Sequence, residues 1–241
     1  MNILAIGNSF SEDATRYLYG IARADQVRIN VVNLFIGGCS LERHYRNMLS
    51  GARDYELQYN GHKTGFHISL DEALLNNQWD VITLQQSSPN STKPESYTPY
   101  ILALAEHVRK MAPKAKLYIH ETWAYEAGSD KLVNLMKYNE PCEMLADIKT
   151  AYEAAAQSIN ANGIIRCGEL FGKLTEAGIE KVHRDTFHAS LGVGRYALAL
   201  MWYRTLTGKC VTDNAFCDFD TEISEKEVLT VKEAVESFFN E

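Results

Sequence analysis

The chain opens on an apolar run, Ile3-Leu4-Ala5-Ile6, which stops at Gly7 and leads into Asn8-Ser9-Phe10-Ser11. Short apolar runs bounded by turn residues mark strands. Such runs recur at 27–36, 79–84, 116–120 and 163–167. Between them the apolar positions fall at helical spacing. Residues 12–24 place Ala14, Tyr17, Leu18, Ile21 and Ala22 on one face, and 142–160 do the same with Met144, Leu145, Ile148, Tyr152 and Ala155. Further helices are predicted at 41–49, 69–75, 101–111, 169–177, 189–206 and 224–239. Ser69 and Glu72 fit a capping box at the second of these. Strands that alternate with helices form a parallel sheet with helices on both faces. The pattern therefore predicts an α/β protein, a three-layer α/β/α sandwich around a five-stranded, mainly parallel sheet. No linker or repeat interrupts it, so residues 1–241 read as one domain.

Two stretches stand outside the alternation. At 53–68, Tyr55, Leu57 and Tyr59 alternate, Asn60-Gly61 signals a tight turn, and Phe66 and Ile68 follow. This predicts a small β-hairpin inserted beside the main sheet. Residues 128–141 run from a glycine to a proline and form an excursion that could serve as a lid.

Composition narrows the function classes. Hydrophobic residues make up 46% and charged residues 23%, as in an ordinary globular protein. The net charge is -7 and no basic stripe occurs, so nucleic acid is not an expected partner. No run approaches the ~18 apolar residues that cross a bilayer, so no membrane span is expected. The chain enters a strand at once, without a basic and apolar leader, and its five cysteines are scattered with no C-x-x-C. Both features predict a cytoplasmic protein with free thiols. No phosphate-loop or dinucleotide fingerprint follows the first strand, so no cofactor is implied. His62 and His67 read as solvated hairpin residues rather than metal ligands, and His183 as a surface histidine.

The candidate chemistry sits where strands end. In open α/β sheets the carboxyl ends of the strands face a common ligand-binding edge. Ser9 ends the first strand beside a helix start, where unpaired N–H groups can receive an anion. Ser9-Phe10-Ser11-Glu12 also fits a capping box with Ser9 as the cap. Gly37-Gly38 ends the second strand, next to Cys39, as a plain turn or as a close approach to a ligand. Gln85-Gln86-Ser87-Ser88 ends the third. Asp185 and His188 stand three apart before the long helix at 189–206. At that spacing a carboxylate can hold an imidazole Nδ1–H and leave Nε2 free as a base. The alternative is that Asp185 or Thr186 caps that helix.

Taken together, Gly7-x-Ser9, Gly37-Gly38, the polar end of the third strand and Asp185-x-x-His188 resemble the SGNH (GDSL-like) hydrolases. The resemblance runs from Ile3 to about Thr207. Trp79-Asp80…Leu84-Gln85, Glu121-Thr122-Trp123-Ala124 and Asp185…His188…Gly192…Tyr196 look like an uncharacterised bacterial branch of that superfamily. The resemblance implies a flavodoxin-like fold and ester cleavage by a Ser-His-Asp triad. Ser9 would be the nucleophile, His188 the base and Asp185 its orienting acid. The backbone N–H groups of Ser9 and Gly38 would receive the oxyanion. Two positions depart from the family pattern. Asn8 stands where Asp is usual, and the third block, usually G-x-N-D with an oxyanion-binding Asn, reads Gln85-Gln86-Ser87-Ser88. A glutamine amide is also a donor, so Gln85, or else Gln86, is expected to take that role. Trp123 either stacks on a sugar ring or packs beneath the possible lid.

The expected activity is hydrolysis of a short acyl ester, acetyl foremost, on a small molecule or glycan, with no metal and no cofactor. A weakly catalytic binding module for a glycan or small ester, or an acyltransferase on the same triad, are the alternatives.

Overall fold

The computed structural model describes residues 1–239. Its centre is a seven-stranded sheet. The opening apolar run forms β1 (Asn2–Gly7), buried at every position after the first. On one side it pairs in parallel with β2 (Asn30–Phe35), on the other with β5 (Val81–Leu84). Beyond β5, β6 (Lys116–His120) and β7 (Gly163–Ile165) continue the parallel arrangement. β5 is buried throughout, as its unbroken apolar sequence requires of a strand covered on both faces. The parallel strands thus lie in the order β2-β1-β5-β6-β7, the flavodoxin-like order. The strand order reverses between β1 and β5, so their carboxyl ends border the crevice where such sheets bind ligands.

Seven strands stand where the sequence pattern predicts five. The hairpin forms as expected, with β3 (Tyr55–Tyr59) and β4 (His62–Ile68) joined by Asn60-Gly61 at positive φ of 50° and 81°. That turn matches the right-handed twist of the flanking strands. It does not sit beside the sheet, however. β3 pairs antiparallel with β2 and extends the sheet, because the β2 edge offers unpaired backbone groups.

One helical layer contains α3 (Leu41–Ser50), α4 (Leu70–Leu75), α5 (Tyr100–Met111) and α6 (Pro141–Ser158). The other contains α1 (Ser9–Thr15), α2 (Leu18–Ala24), α7 (Cys167–Glu176) and α8 (Val193–Thr207). α8 is buried all round, because α9 (Glu225–Glu236) covers the side that a surface helix would expose. The single helix expected at 12–24 is two. Its break at Tyr17 lets the phenol donate to the Leu191 carbonyl (2.5 Å) and accept from the Asp220 N–H (2.6 Å). Residues 128–141 carry one π-helical turn, Lys131–Leu135, anchored by buried Leu132. No described helix is long and apolar enough to cross a membrane.

Candidate active site

β1 delivers Ser9 to the carboxyl edge of the sheet, but Ser9 is not the helix cap. Asn8 holds that position, with extended backbone angles, and its side chain accepts the Phe10 N–H. The box is completed by Ser11, whose hydroxyl accepts the Asn8 N–H. Ser9 is therefore the first helical residue, and its N–H has no acceptor within α1. Its hydroxyl is not spent on capping and points to His188, with Oγ 2.9 Å from Nε2.

His188 lies on a short loop, Arg184 to His188, which folds back on itself. The Arg184 N–H donates to the His188 carbonyl (3.0 Å), and Thr186 takes a positive φ of 73° at the bend. Asp185 caps this loop internally. Its Oδ1 accepts the His188 backbone N–H at 2.9 Å and its Oδ2 meets Nδ1 of the ring at 2.8 Å. Burial pushes the Asp185 carboxyl up, but the bonds from the His188 ring and backbone outweigh it and hold the group below the usual carboxylate range. An ionised carboxylate only accepts, so Nδ1 carries the ring proton. Nε2 then presents a lone pair, and the Ser9 hydroxyl donates to it. The serine, imidazole and carboxylate form one continuous hydrogen-bonded line.

The loop is pinned from two sides, on one of them by a residue that the sequence reading did not single out. Asp13, fully buried on α1, pairs with Arg184 and Arg195 at 2.8 Å each and accepts the Ala189 N–H at 3.2 Å. A charged residue beside Ala14, on the face that Phe10 and Tyr17 share, was the available signal. On the other side, the segment after β6 supplies three bonds. The Glu126 N–H donates to the Thr186 carbonyl at 2.8 Å, Trp123 Nε1 to the Phe187 carbonyl at 2.8 Å, and His183 Nε2 to the Ala124 carbonyl at 3.0 Å.

These bonds decide between the two readings of Trp123 and correct that of His183. Trp123 is wholly buried and stacks on Phe10 with ring centroids 4.1 Å apart, so no sugar ring can reach its face. It packs beneath the site and holds the 184–188 loop. His183 is buried rather than superficial, and burial lowers its pKa to about 4. Phe187, whose ring lies tilted at 37° against His188 with centroids 3.9 Å apart, carries the Lys131 ammonium 3.7 Å above its ring. Residues 128–141 thus touch the 184–188 loop through Lys131.

Across the crevice, Gly38 turns the chain after β2 at a positive φ of 62°, and its N–H makes no hydrogen bond among the described residues. Two donors, the N–H groups of Ser9 and Gly38, are therefore free at the ends of β1 and β2. The Cys39 thiol is buried, 3.5 Å from His44 Nδ1, and burial pushes it up to about 12, so it packs as a neutral group. Neither glutamine stands ready as an oxyanion donor. Gln85 donates to Asn8 Oδ1 (2.8 Å) and accepts from His120 Nδ1 (2.8 Å). Gln86 donates to Ser96 at its carbonyl (3.0 Å) and hydroxyl (3.1 Å), and accepts the N–H groups of Leu41 (3.0 Å) and Ser87 (2.9 Å). Both are buried, since the longer glutamine side chain lies back along the sheet end and finds internal partners there. Gly7 permits this, because a Cβ at that position would stand 2.7 Å from Gln85 Oε1.

A family model described as a domain of unknown function, DUF4886, matches residues 2–237. A DUF4886 family protein from Bacteroides uniformis ATCC 8492 is 31% identical with a TM-score of 0.90, over 99% of this chain and 94% of that one. A candidate SGNH hydrolase from Slackia heliotrinireducens is 25% identical with a TM-score of 0.63, over 86% of this chain and 98% of that one. The lipase/acylhydrolase from Enterococcus faecalis, 12% identical with a TM-score of 0.53 over 92% of this chain and 99% of that one, shares the fold. No curated protein matches the chain. The fold is that of the SGNH hydrolases.

Proposed function

The chain belongs to the DUF4886 family, and we propose that it is a serine ester hydrolase of the SGNH type, acting on a short acyl ester. The observation that carries this is the unbroken line from Ser9 Oγ to His188 Nε2 (2.9 Å) and from His188 Nδ1 to Asp185 Oδ2 (2.8 Å). The Slackia candidate SGNH hydrolase and the Enterococcus lipase/acylhydrolase, which share the fold, are proteins of such chemistry. Trp123 no longer supports a carbohydrate substrate, so the proposal is of the ester and not of a sugar.

In this reading Ser9 attacks the ester carbonyl while its proton passes to His188 Nε2. The negative oxygen of the tetrahedral intermediate is received by the N–H groups of Ser9 and Gly38. Each such donor is worth about 2.7–4 kcal/mol of barrier in acyl transfer. His188 then returns the proton to the leaving alcohol, and an acyl group remains on Ser9. Water, deprotonated by the same nitrogen, releases the acid. Asp185 stays ionised throughout and faces the imidazolium while it exists.

Hydrolysis of p-nitrophenyl acetate by the wild type and by Ser9→Ala tests the proposal, with fluorophosphonate labelling of Ser9 alongside. Activity and labelling that both vanish in the variant are expected. Equal turnover in both proteins refutes the reading. A series from acetate to octanoate esters tests the short acyl group, with a rate that falls as the chain lengthens.

A further inference from the structure

Beneath the two free N–H groups runs a line of buried side chains whose polarity can be read without ambiguity. Asn8 Oδ1 accepts a backbone N–H, that of Phe10, at 3.0 Å. Its Nδ2 donates to a backbone carbonyl, that of Cys39, at 3.0 Å. Backbone donors and acceptors cannot exchange roles, so the orientation of the Asn8 amide is set. Oδ1 also faces Gln85, which must therefore present Nε2 there (2.8 Å). Gln85 Oε1 is then left for His120 Nδ1 (2.8 Å), and that nitrogen must carry the proton. Every member is buried. Burial also lowers the His120 pKa to about 3, which keeps the ring neutral, with one N–H to give.

The line ends on both segments that carry the free donors. Through Phe10 it holds the first turn of α1, where Ser9 lies. Through the Cys39 carbonyl it holds the Gly38 loop, whose other anchor is the Cys39 N–H on the Ile36 carbonyl at 3.1 Å. We propose that Gln85 and His120 are positioning residues that act through Asn8: they set the Ser9 and Gly38 N–H groups at the spacing an oxyanion needs, so that backbone alone receives it. The proposal rests on the serine hydrolase reading. It also accounts for Asn8, because an aspartate there has no N–H for the Cys39 carbonyl.

Gln85→Glu keeps the size and the acceptor toward His120 but removes the donor toward Asn8. Asn8→Asp keeps both acceptor bonds and removes only the donor to Cys39. His120→Asn keeps an N–H that can reach Gln85. With p-nitrophenyl acetate, Gln85→Glu and Asn8→Asp are expected to lose about 10- to 100-fold in kcat, with KM within about twofold. Inhibition by a phenylboronic acid, whose serine adduct places an oxygen in the same hole, is expected to weaken by a similar factor. His120→Asn should stay much closer to the wild type than His120→Leu. A wild type that is active through Ser9, with Gln85→Glu and Asn8→Asp unchanged in kcat and boronate affinity, overturns the positioning role alone. If one of these two variants fails to fold, the other decides. A wild type that neither hydrolyses the ester nor labels at Ser9 overturns both this role and the hydrolase reading.

Discussion

Asp185→Asn should be more damaging than Asp185→Ala, although asparagine is the closer mimic. The reason lies in the second bond that Asp185 makes. Its Oδ1 accepts the His188 backbone N–H at 2.9 Å. An asparagine must place its carbonyl oxygen there, and its NH2 then faces His188 Nδ1, now 2.8 Å from Oδ2. That forces a lone pair onto Nδ1 and the proton onto Nε2, where the ring cannot accept from Ser9. Turning the amide over to restore the productive tautomer leaves the His188 N–H unpaired, at about 2 kcal/mol. Loss of the carboxylate that faces the imidazolium adds about 2–3 kcal/mol, a value discounted because the Asp185 side chain is 47% exposed. Together these amount to about 4–5 kcal/mol, or roughly a thousandfold or more in rate. Asp185→Ala also leaves the His188 N–H without its side-chain acceptor, but in the resting and the reacting enzyme alike, so its rate bears only the second loss, about a hundredfold. The assay is kcat/KM for p-nitrophenyl acetate with all three proteins at one fixed pH. If the asparagine variant matches or exceeds the alanine variant, the tautomer argument is refuted.

Two further outcomes follow from buried groups near the site. Glu121 is fully buried with Oε2 unpartnered, and burial raises its pKa from 4.5 to about 8. Below pH 4.5 both folded and unfolded forms are protonated. As pH rises toward 8 the unfolded carboxyl ionises first and stability falls, by about 3 kcal/mol at pH 7. Glu121→Gln should remove this loss and raise Tm by roughly 6–12 °C at pH 7, with the gap closing toward pH 4.5, and a gap that does not vary with pH contradicts it. Trp123→Phe leaves the Phe187 carbonyl without its donor, which costs about 1–3 kcal/mol. It should lower kcat for p-nitrophenyl acetate by about tenfold and leave KM unchanged, whereas a raised KM at unchanged kcat would restore Trp123 to substrate contact.

Much of the fold was legible because burial writes its own period into the chain. The apolar run of each strand, the hairpin turn at Asn60-Gly61 and the capping box at Ser69 and Glu72 each depend on neighbours within a few residues. Asp185 and His188 were legible for the same reason, since their contact spans three residues. Where long-range contacts decide, sequence reasoning went astray. Trp123 has the composition of a binding residue and the burial of a core one. Gln85 looks like a free donor until Asn8 and His120 claim both ends of its amide. The break of 12–24 into two helices follows from Tyr17 reaching Leu191 and Asp220, both far along the chain.

By itself, then, the sequence determined the layers, the strand ends and the residue types that gather on one edge, because hydrophobic periodicity is local and repeated. Only the tertiary structure decided that Ser9 meets His188 across 179 residues, that Asp13 ties α1 to the 184–188 loop, and that the third block turns inward. A hydrogen bond needs a particular atom at a particular distance and angle, and periodicity carries no information about which distant atom that is.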